Sequence, residues 1–364
     1  MSTRRAFVHR IAVAAPDDVS GLDRAITEGR IVPGAVVAIL GKTEGNGLGN
    51  DWTRGLAARS LRDWLRRHAG EAAAARVCLV MSGGTEGGLS PHFTVFEVRE
   101  AAAAAAPGAL AIGHAHTADL APEQIGRLAQ VASVAEGVRA AMCDAGITDP
   151  AAVHFVQVKC PLLTAERIAA ARGRGADCAT ADTLKSMGLS RAAASLGIAT
   201  ALGEVDALEE GLIGRDFALA SSRASASAGI ELMGHEIVVL GRGAGWSGPL
   251  RIDHATMADA LDVEPVRAAL GRLGLGAAGQ LAPAQRERLV AVLAKAEAPS
   301  DGRLRGCRTT MLTDSDHAAT RHARGFVGGV LAGLVGHAEL YVSGGAEHQG
   351  PDGGGPVAII AHAP

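Results

Sequence analysis

One arrangement of residues occurs three times in this chain, and it limits the fold more than any other feature. A short apolar run ends on a lysine, as AVVAILGK at Lys42, VHFVQVK at Lys159 and RLVAVLAK at Lys295. Further along, a Ser-small-Gly turn follows each lysine, at Ser82, Ser227 and Ser343. Lysine is otherwise nearly absent: the 364 residues contain four lysines against thirty-one arginines, and only Lys185 falls outside the pattern. Arginine serves a surface charge equally well but cannot be neutralised at working pH, whereas a buried lysine can lose its proton and act as a base.

The neighbours of each lysine recur in the same order. A helix-like stretch precedes it, Gly21 to Gly29, Ala135 to Gly146 and Glu264 to Gly274, each stopping at glycine. The apolar run that follows reads as a strand with the lysine at its end. A second helix comes next, opened by Arg54, Arg191 or Arg324 with small residues after it, then a strand carrying the serine, with a glutamate four residues beyond it at Glu86, Glu231 and Glu347. A closing strand, FTVFEV, HEIVVLG or PVAIIA, completes a unit that reads helix, strand, helix, strand, strand. The Lys-to-Ser spacing of 40, 68 and 48 residues implies diverged units with insertions. Breaks in the Ala-rich stretch Ala101 to Ala106 and the Gly-rich stretch Arg242 to Pro249 give units at residues 1–105, 106–250 and 251–364. The predicted fold is α/β: three similar repeat units around a pseudo-three-fold axis, with the active site at the centre.

At any one copy, a solvated lysine and a tight glycine turn are the ordinary reading. Three copies, with lysine almost absent elsewhere, point instead to one pocket where three lysines, three arginines and three serines converge, because α/β units place ligands at strand ends and between units. A desolvated lysine beside fixed arginine charges can activate a serine, and the glycines after the serine free backbone N–H groups to receive an oxyanion. The chemistry is acyl transfer to serine, hence amide or ester hydrolysis. Three sets of donors suit a small ring with carbonyls in a three-fold arrangement; one is attacked per turnover and the other two are held.

Other chemistries fit poorly. A net charge of −3 and ten aromatic residues lack the signature of a nucleic-acid binder. No segment approaches a membrane span, and Met1 to Arg10 carries arginines without a long apolar core after them, so a cytoplasmic protein is expected. Gly41-Lys42-Thr43 lacks the earlier glycine of a P-loop, since position 36 is Val36. His235-Glu236 lacks the second histidine of a zinc protease, and His114, His116, His317, His322 and His348 make no recognisable ligand set. Five cysteines, odd in number and never Cys-x-x-Cys, argue against a disulfide framework; Cys160, beside Lys159, has no counterpart in the other units. The loop Gly344 to Pro356 could offer carbonyl oxygens to a hard cation.

VMSGGTEGGLSPH from Val80, FVQVKCPLLT from Phe155, SASAGIEL from Ser225 and YVSGGAEHQGPDGGGP from Tyr341 resemble the cyanuric acid amidohydrolase and barbiturase family over essentially the whole chain. The resemblance implies a homotetramer that hydrolytically opens a cyclic imide without an organic cofactor. It makes Ser227 the nucleophile and Lys159 its base. It makes Arg54, Arg191 and Arg324, Ser82 with Gly83, Ala228, Ser343 with Gly344, and Lys42 and Lys295 the holders of the ring. A structural divalent cation, Mg or Ca, would bind Glu297 and oxygens of Ala346, Gln349, Gly350, Pro351 and Gly354. GKTEGNG at Lys42 and the DSDHAATRHARG segment sit closer to the cyanuric acid enzymes, which form carboxybiuret and thence biuret; barbiturase is the alternative substrate reading. A ring-binding protein without catalysis is the alternative from another class.

Overall fold

The computed structural model describes residues 3–364. The first unit contains β1 (Thr3–Ala12), α1 (Ser20–Thr27), β2 (Val36–Thr43), α2 (Trp52–Ala69), α3 (Glu71–Arg76), β3 (Cys78–Gly83) and β4 (His92–Ala101). The second has β5 (Leu110–His116), α4 (Leu128–Ala145), β6 (Val153–Pro161), α5 (Ala165–Gly173), α6 (Thr183–Leu202), β7 (Ala224–Gly229) and β8 (Glu236–Arg242), followed by the short β9 (Trp246–Ser247). The third has β10 (Leu250–Met257), α7 (Glu264–Arg272), α8 (Pro283–Arg288), β11 (Leu289–Ala296), the small hairpin β12 (Arg303–Leu304) and β13 (Cys307–Arg308), α9 (Ala319–Val335), β14 (Tyr341–Gly344) and β15 (Gly355–His362).

Each unit builds the same four-stranded sheet, ordered β3-β2-β4-β1, β7-β6-β8-β5 and β14-β11-β15-β10. The lysine strand runs parallel to the serine strand on one side and antiparallel to the closing strand on the other. A bulge recurs at the start of all three lysine strands, at Val36/Ala38, Val153/Phe155 and Leu289/Ala291. An extra residue there shifts which side chains face inward, so the repeat extends to an irregularity that sets the face of the lysine.

Three expectations need correction. Each unit opens with a strand, β1, β5 or β10, absent from the predicted order. β1 (TRRAFVHRIA) and β10 (LRIDHATM) alternate buried and half-exposed residues and carry charges on the open face, which hides them among polar segments. The arginines do not open their helices in the later units; Arg191 and Arg324 lie inside α6 and α9. The stretch Arg242 to Pro249 is more than a linker, because Trp246 in β9 is fully buried and β9 pairs with β1 across the unit boundary. Of the N-terminal stretch scanned for a leader, Thr3 onward is strand, and Met1 and Ser2 lie outside the described residues.

The largest core cluster draws on all three units, including Leu40 and Val80, Val158 and Ala226, and Leu293 and Tyr341. Ile39 and Leu61 pack in a separate layer, as do Val292 and Leu331. The sheets thus meet face to face at the centre and carry helices outside. In β2 and β11 the inward row is Ala38, Leu40, Lys42 and Ala291, Leu293, Lys295. Period-two alternation therefore delivers each lysine to the end of the shared core.

Candidate active site

Strand pairing makes each lysine and serine partners: Lys42 lies opposite Ser82, Lys159 opposite Ser227 and Lys295 opposite Ser343. The lysines then reach across unit boundaries. Lys42 Nζ donates to the carbonyl of Val342 at 2.8 Å, Lys159 Nζ to that of Met81 at 2.8 Å and Lys295 Nζ to that of Ala226 at 2.9 Å. Each acceptor is the residue before a neighbouring unit's serine, so the three contacts close a ring.

A second ring runs in the other direction through the glutamates. Arg191 pairs with Glu347 at 2.6 and 2.8 Å, and Arg324 with Glu86 at 2.6 and 2.9 Å, both as two-point contacts. Arg54 lies 3.7 Å from Glu231 and donates instead to the carbonyls of Ala228 at 3.0 Å and Leu48 at 2.6 Å. Sequence reasoning marked the three glutamates as landmarks but gave them no part; their spacing four residues after each serine was the signal.

Arg54, Ser82, Gly83, Arg191, Ser227, Ala228, Arg324, Ser343 and Gly344 all line one central cavity, with Gly47 and Met187. Its volume of about 20 Å³ holds roughly one water. None of the three lysines, expected in this pocket, is in its wall: Lys42, Lys159 and Lys295 stand behind, on the strands paired with the serines. The glycines after two serines are required by space: a Cβ on Gly83 would collide with the Asp51 carboxylate, and one on Gly344 with the Thr320 hydroxyl. Tyr341, the chain's one tyrosine, is fully buried, its hydroxyl facing Ser227 and Ser82 without a hydrogen bond of good geometry. Its place was not foreseen.

The dyads differ in detail. Lys42 Nζ lies 3.3 Å from Ser82 Oγ and Lys295 Nζ 3.2 Å from Ser343 Oγ. Lys159 has its second contact at 3.4 Å with Glu231, while Ser227 Oγ shares a 3.1 Å hydrogen bond with Ser343 Oγ. Burial lowers all three lysine pKa values: Lys42 well below its ordinary value, with Arg324 adding to the effect, and Lys295 to about 7, with Arg191 adding. Lys159 is also lowered by burial, but Glu231 works against that shift. Burial raises the Cys160 thiol, which disfavours its thiolate and a nucleophilic role. All five cysteines are free.

The residues expected to hold a cation come together in part. Glu297, Ala346, Gly350 and Pro351 line one cavity of about 260 Å³. Among the described residues, the Glu297 carboxylate accepts only from the backbone N–H groups of Ala298 at 2.9 Å and Ala346 at 2.7 Å. Burial and the neighbouring Glu347 raise its pKa. Arg191 and Lys295 act on it only from beyond ion-pair distance, so a buried carboxylate with no contacting cation among the described residues, beside loop carbonyls, is a donor set that fits a hard cation. The Gln349 side chain is engaged elsewhere, accepting from Ala226 N and donating to Gly345 O, which leaves its backbone carbonyl. The Ala346 and Pro351 carbonyls each accept one turn hydrogen bond, from Gln349 and Gly354, and keep a second lone pair.

Away from the centre, His154, Asp253 and His254 bring ligating atoms within 4.8 Å of one another, a cluster not anticipated from sequence. Arg272 holds Asp253 at 2.6 Å, and the two imidazoles lie 2.9 Å apart. These groups satisfy each other. His348 is structural, its ring bridging Leu219 O and Gly214 N. Lys185 is exposed, as expected. No helix among the described residues is long and apolar enough to cross a membrane.

Three matching sheets closed around one polar centre define a concatenated α/β protein whose single site is shared by all its units. The chain belongs to the amidohydrolase ring-opening protein family, whose model it matches over residues 7–362. It is 63% identical to a cyanuric acid amidohydrolase of Azorhizobium caulinodans over 358 residues, 98% of each chain, and 60% identical to one of Bradyrhizobium sp., again over 98% of each. A solved cyanuric acid hydrolase from A. caulinodans superposes with a TM-score of 0.91 at 62% identity, covering 99% of both chains. Another, described as an evolutionary innovation by structural concatenation, superposes with a TM-score of 0.94 at 48% identity, covering 99% of this chain and 100% of that one.

Proposed function

We infer that this chain opens the ring of cyanuric acid by hydrolysis, with Ser227 as nucleophile and Lys159 as its base. The reading is carried by three Lys–Ser register pairs around one closed polar centre, in a chain akin over its full length to proteins named cyanuric acid amidohydrolase. Ser227 Oγ attacks one ring carbonyl carbon while Lys159 Nζ takes the hydroxyl proton. Arg54, Arg191, Arg324 and the backbone N–H groups after the serines receive the charge that develops on oxygen. The C–N bond breaks as Lys159 returns the proton to the ring nitrogen, leaving an acyl-serine. Water then attacks the acyl carbon, Lys159 carries its proton to the departing Ser227 oxygen, and carboxybiuret is released; it loses CO₂ to give biuret. Ser82 and Ser343, backed by Lys42 and Lys295, hold the other two carbonyls.

Glu297 and the backbone oxygens of Ala346, Gln349, Gly350, Pro351 and Gly354 are assigned to a divalent cation, Mg or Ca, which would neutralise Glu297 and stiffen the loop behind Ser343. Family resemblance supports a cytoplasmic homotetramer, which light scattering of the purified protein tests.

Turnover of cyanuric and barbituric acids by the unaltered chain and by Ser227→Ala tests the reading. Cyanuric acid should be opened by the unaltered chain and not by the variant. Opening of barbituric acid alone would transfer the assignment to that ring, turnover of neither would leave a binding protein, and full activity in Ser227→Ala would remove Ser227 as nucleophile.

A further inference from the structure

The three dyads share register and chemistry, yet their third partners differ. Glu347 is clamped by two hydrogen bonds from Arg191, and Glu86 by three, two from Arg324 and one from Arg321. Glu231, at the matching place in the second unit, has neither carboxylate oxygen engaged in a hydrogen bond of good geometry, although its side chain is only 15% exposed. Its near cations are Lys159 Nζ at 3.4 Å and Arg54 Nε at 3.7 Å. A buried carboxylate kept free of a fixed partner retains lone pairs for a proton that comes and goes. Lys159 and Glu231 also line a surface cleft of about 430 Å³, together with Arg59, Arg62 and Glu236, which gives the pair a route to water.

We propose that Glu231 is the positioning residue that makes the second dyad the working one: it holds Lys159 away from a fixed Ser227 hydrogen bond and balances the charge when Lys159 takes the serine proton. The proposal rests on the assignment of Ser227 and Lys159 made above. Lys42 and Lys295 are each tied to their own serine and to two carbonyls, so they orient hydroxyls well and accept protons poorly. The groups that bear on the pair are Arg54, Arg59 and Arg62 from α2, Cys160 next to Lys159, Arg167 from α5, and Glu236 from β8. Arg62 lies 3.2 Å from Glu236, so that carboxylate has its own cation; the charge left to answer Lys159 is that of Glu231.

The sign of the effect follows from the charge. Lys159 must be neutral to accept a proton, so kcat/KM rises with pH through the Lys159 pKa. Removing the Glu231 charge favours the neutral amine and moves that limb to lower pH. For Glu231→Gln acting on cyanuric acid we expect an acidic limb shifted downward by about one pH unit and a kcat lower by about tenfold to a hundredfold, with Glu231→Asp restoring part of both. Glu86→Gln and Glu347→Gln should raise KM and leave the limb in place. Thermal unfolding of each variant separates misfolding from the effect sought. A limb unmoved in a folded Glu231→Gln protein overturns the role of Glu231, whereas an active Ser227→Ala protein overturns the dyad assignment beneath it.

Discussion

The second unit and its two siblings have the same four-stranded sheet, the same bulge and the same Lys–Ser register, and at the site they differ in what surrounds the pair. In the first and third units the lysine holds its serine, the serine is followed by two glycines, and the glutamate is locked to an arginine. In the second the lysine turns to an unlocked glutamate, Ala228 replaces the first glycine, and the layer beneath is polar. There Gln157 accepts from Ser225 at 2.7 Å, where the other units place Leu40 and Val80 or Leu293 and Tyr341. Repetition builds the binding symmetry; departures from it at a few side chains assign the chemistry. Burial lowers all three lysines, but only at Lys159 is a carboxylate the next largest influence, which suits a base that must also tolerate the charged state it passes through.

The serines offer the strongest means of breaking this asymmetry. Ser227→Ala should lower kcat on cyanuric acid by about four orders of magnitude or more, since a nucleophile acts in concert with its base and cannot be lost in part. Ser82→Ala and Ser343→Ala remove one hydrogen bond to a held carbonyl and should cost about tenfold to a hundredfold, mainly in KM. Equal losses at all three positions in steady-state kinetics would mean that the units work interchangeably.

The arginines test the same contrast at smaller scale. Lysine cannot reproduce a two-point contact with a carboxylate, so Arg191→Lys and Arg324→Lys should lower the melting temperature by several degrees and raise KM about tenfold. Arg54 makes no two-point contact with its glutamate, so Arg54→Lys should cost less stability while raising KM similarly. A melting temperature that falls equally in all three would remove the distinction drawn at Glu231.

Much of this is legible in the sequence. Lysine, serine and glutamate recur at fixed places around the paired strands, although the arginine falls at a different turn of its helix in each unit, and a residue kept three times in a chain that avoids it is a signal a single sequence can carry. The first strands were missed because β1 and β10 show water one face and break the apolar runs with arginine and histidine. Direction of reach was not legible either. That Lys42 bonds Val342 and Arg324 bonds Glu86 depends on which unit lies beside which, and sequence separations near 300 and 238 residues carry no local pattern. The inequality of the dyads showed only as Ser-Ala-Gly against Ser-Gly-Gly; the free carboxylate behind it needed atoms.

Glu297 ties the third unit's loop to the site without touching the central cavity, so its effect should fall on stability before rate. With a divalent cation bound, Glu297→Gln should lower the melting temperature and abolish its dependence on added Mg²⁺ or Ca²⁺, since binding to the folded state stabilises it by mass action. The kcat loss should stay within about tenfold, well below that of Ser227→Ala. Stability that ignores both the cations and the substitution would leave Glu297 a carboxylate satisfied by its two backbone N–H groups.

Tyr341 gives the finest test, because it belongs to the third unit yet faces serines of the first and second. Its register neighbours in the other units are Val80 and Ser225, neither of which can reach the axis as a ring does. A fully buried hydroxyl without a good partner destabilises the fold, and burial accordingly pushes the phenol pKa up. Burial therefore favours the neutral phenol, which can donate. Tyr341→Phe keeps the shape and removes the unsatisfied group, so the unfolding free energy should rise by up to about 1 kcal/mol, with kcat reduced less than tenfold. A fall in stability instead would show that the hydroxyl bonds Ser227 or Ser82 in solution, and the third unit would then share in orienting the nucleophile as well as holding the ring.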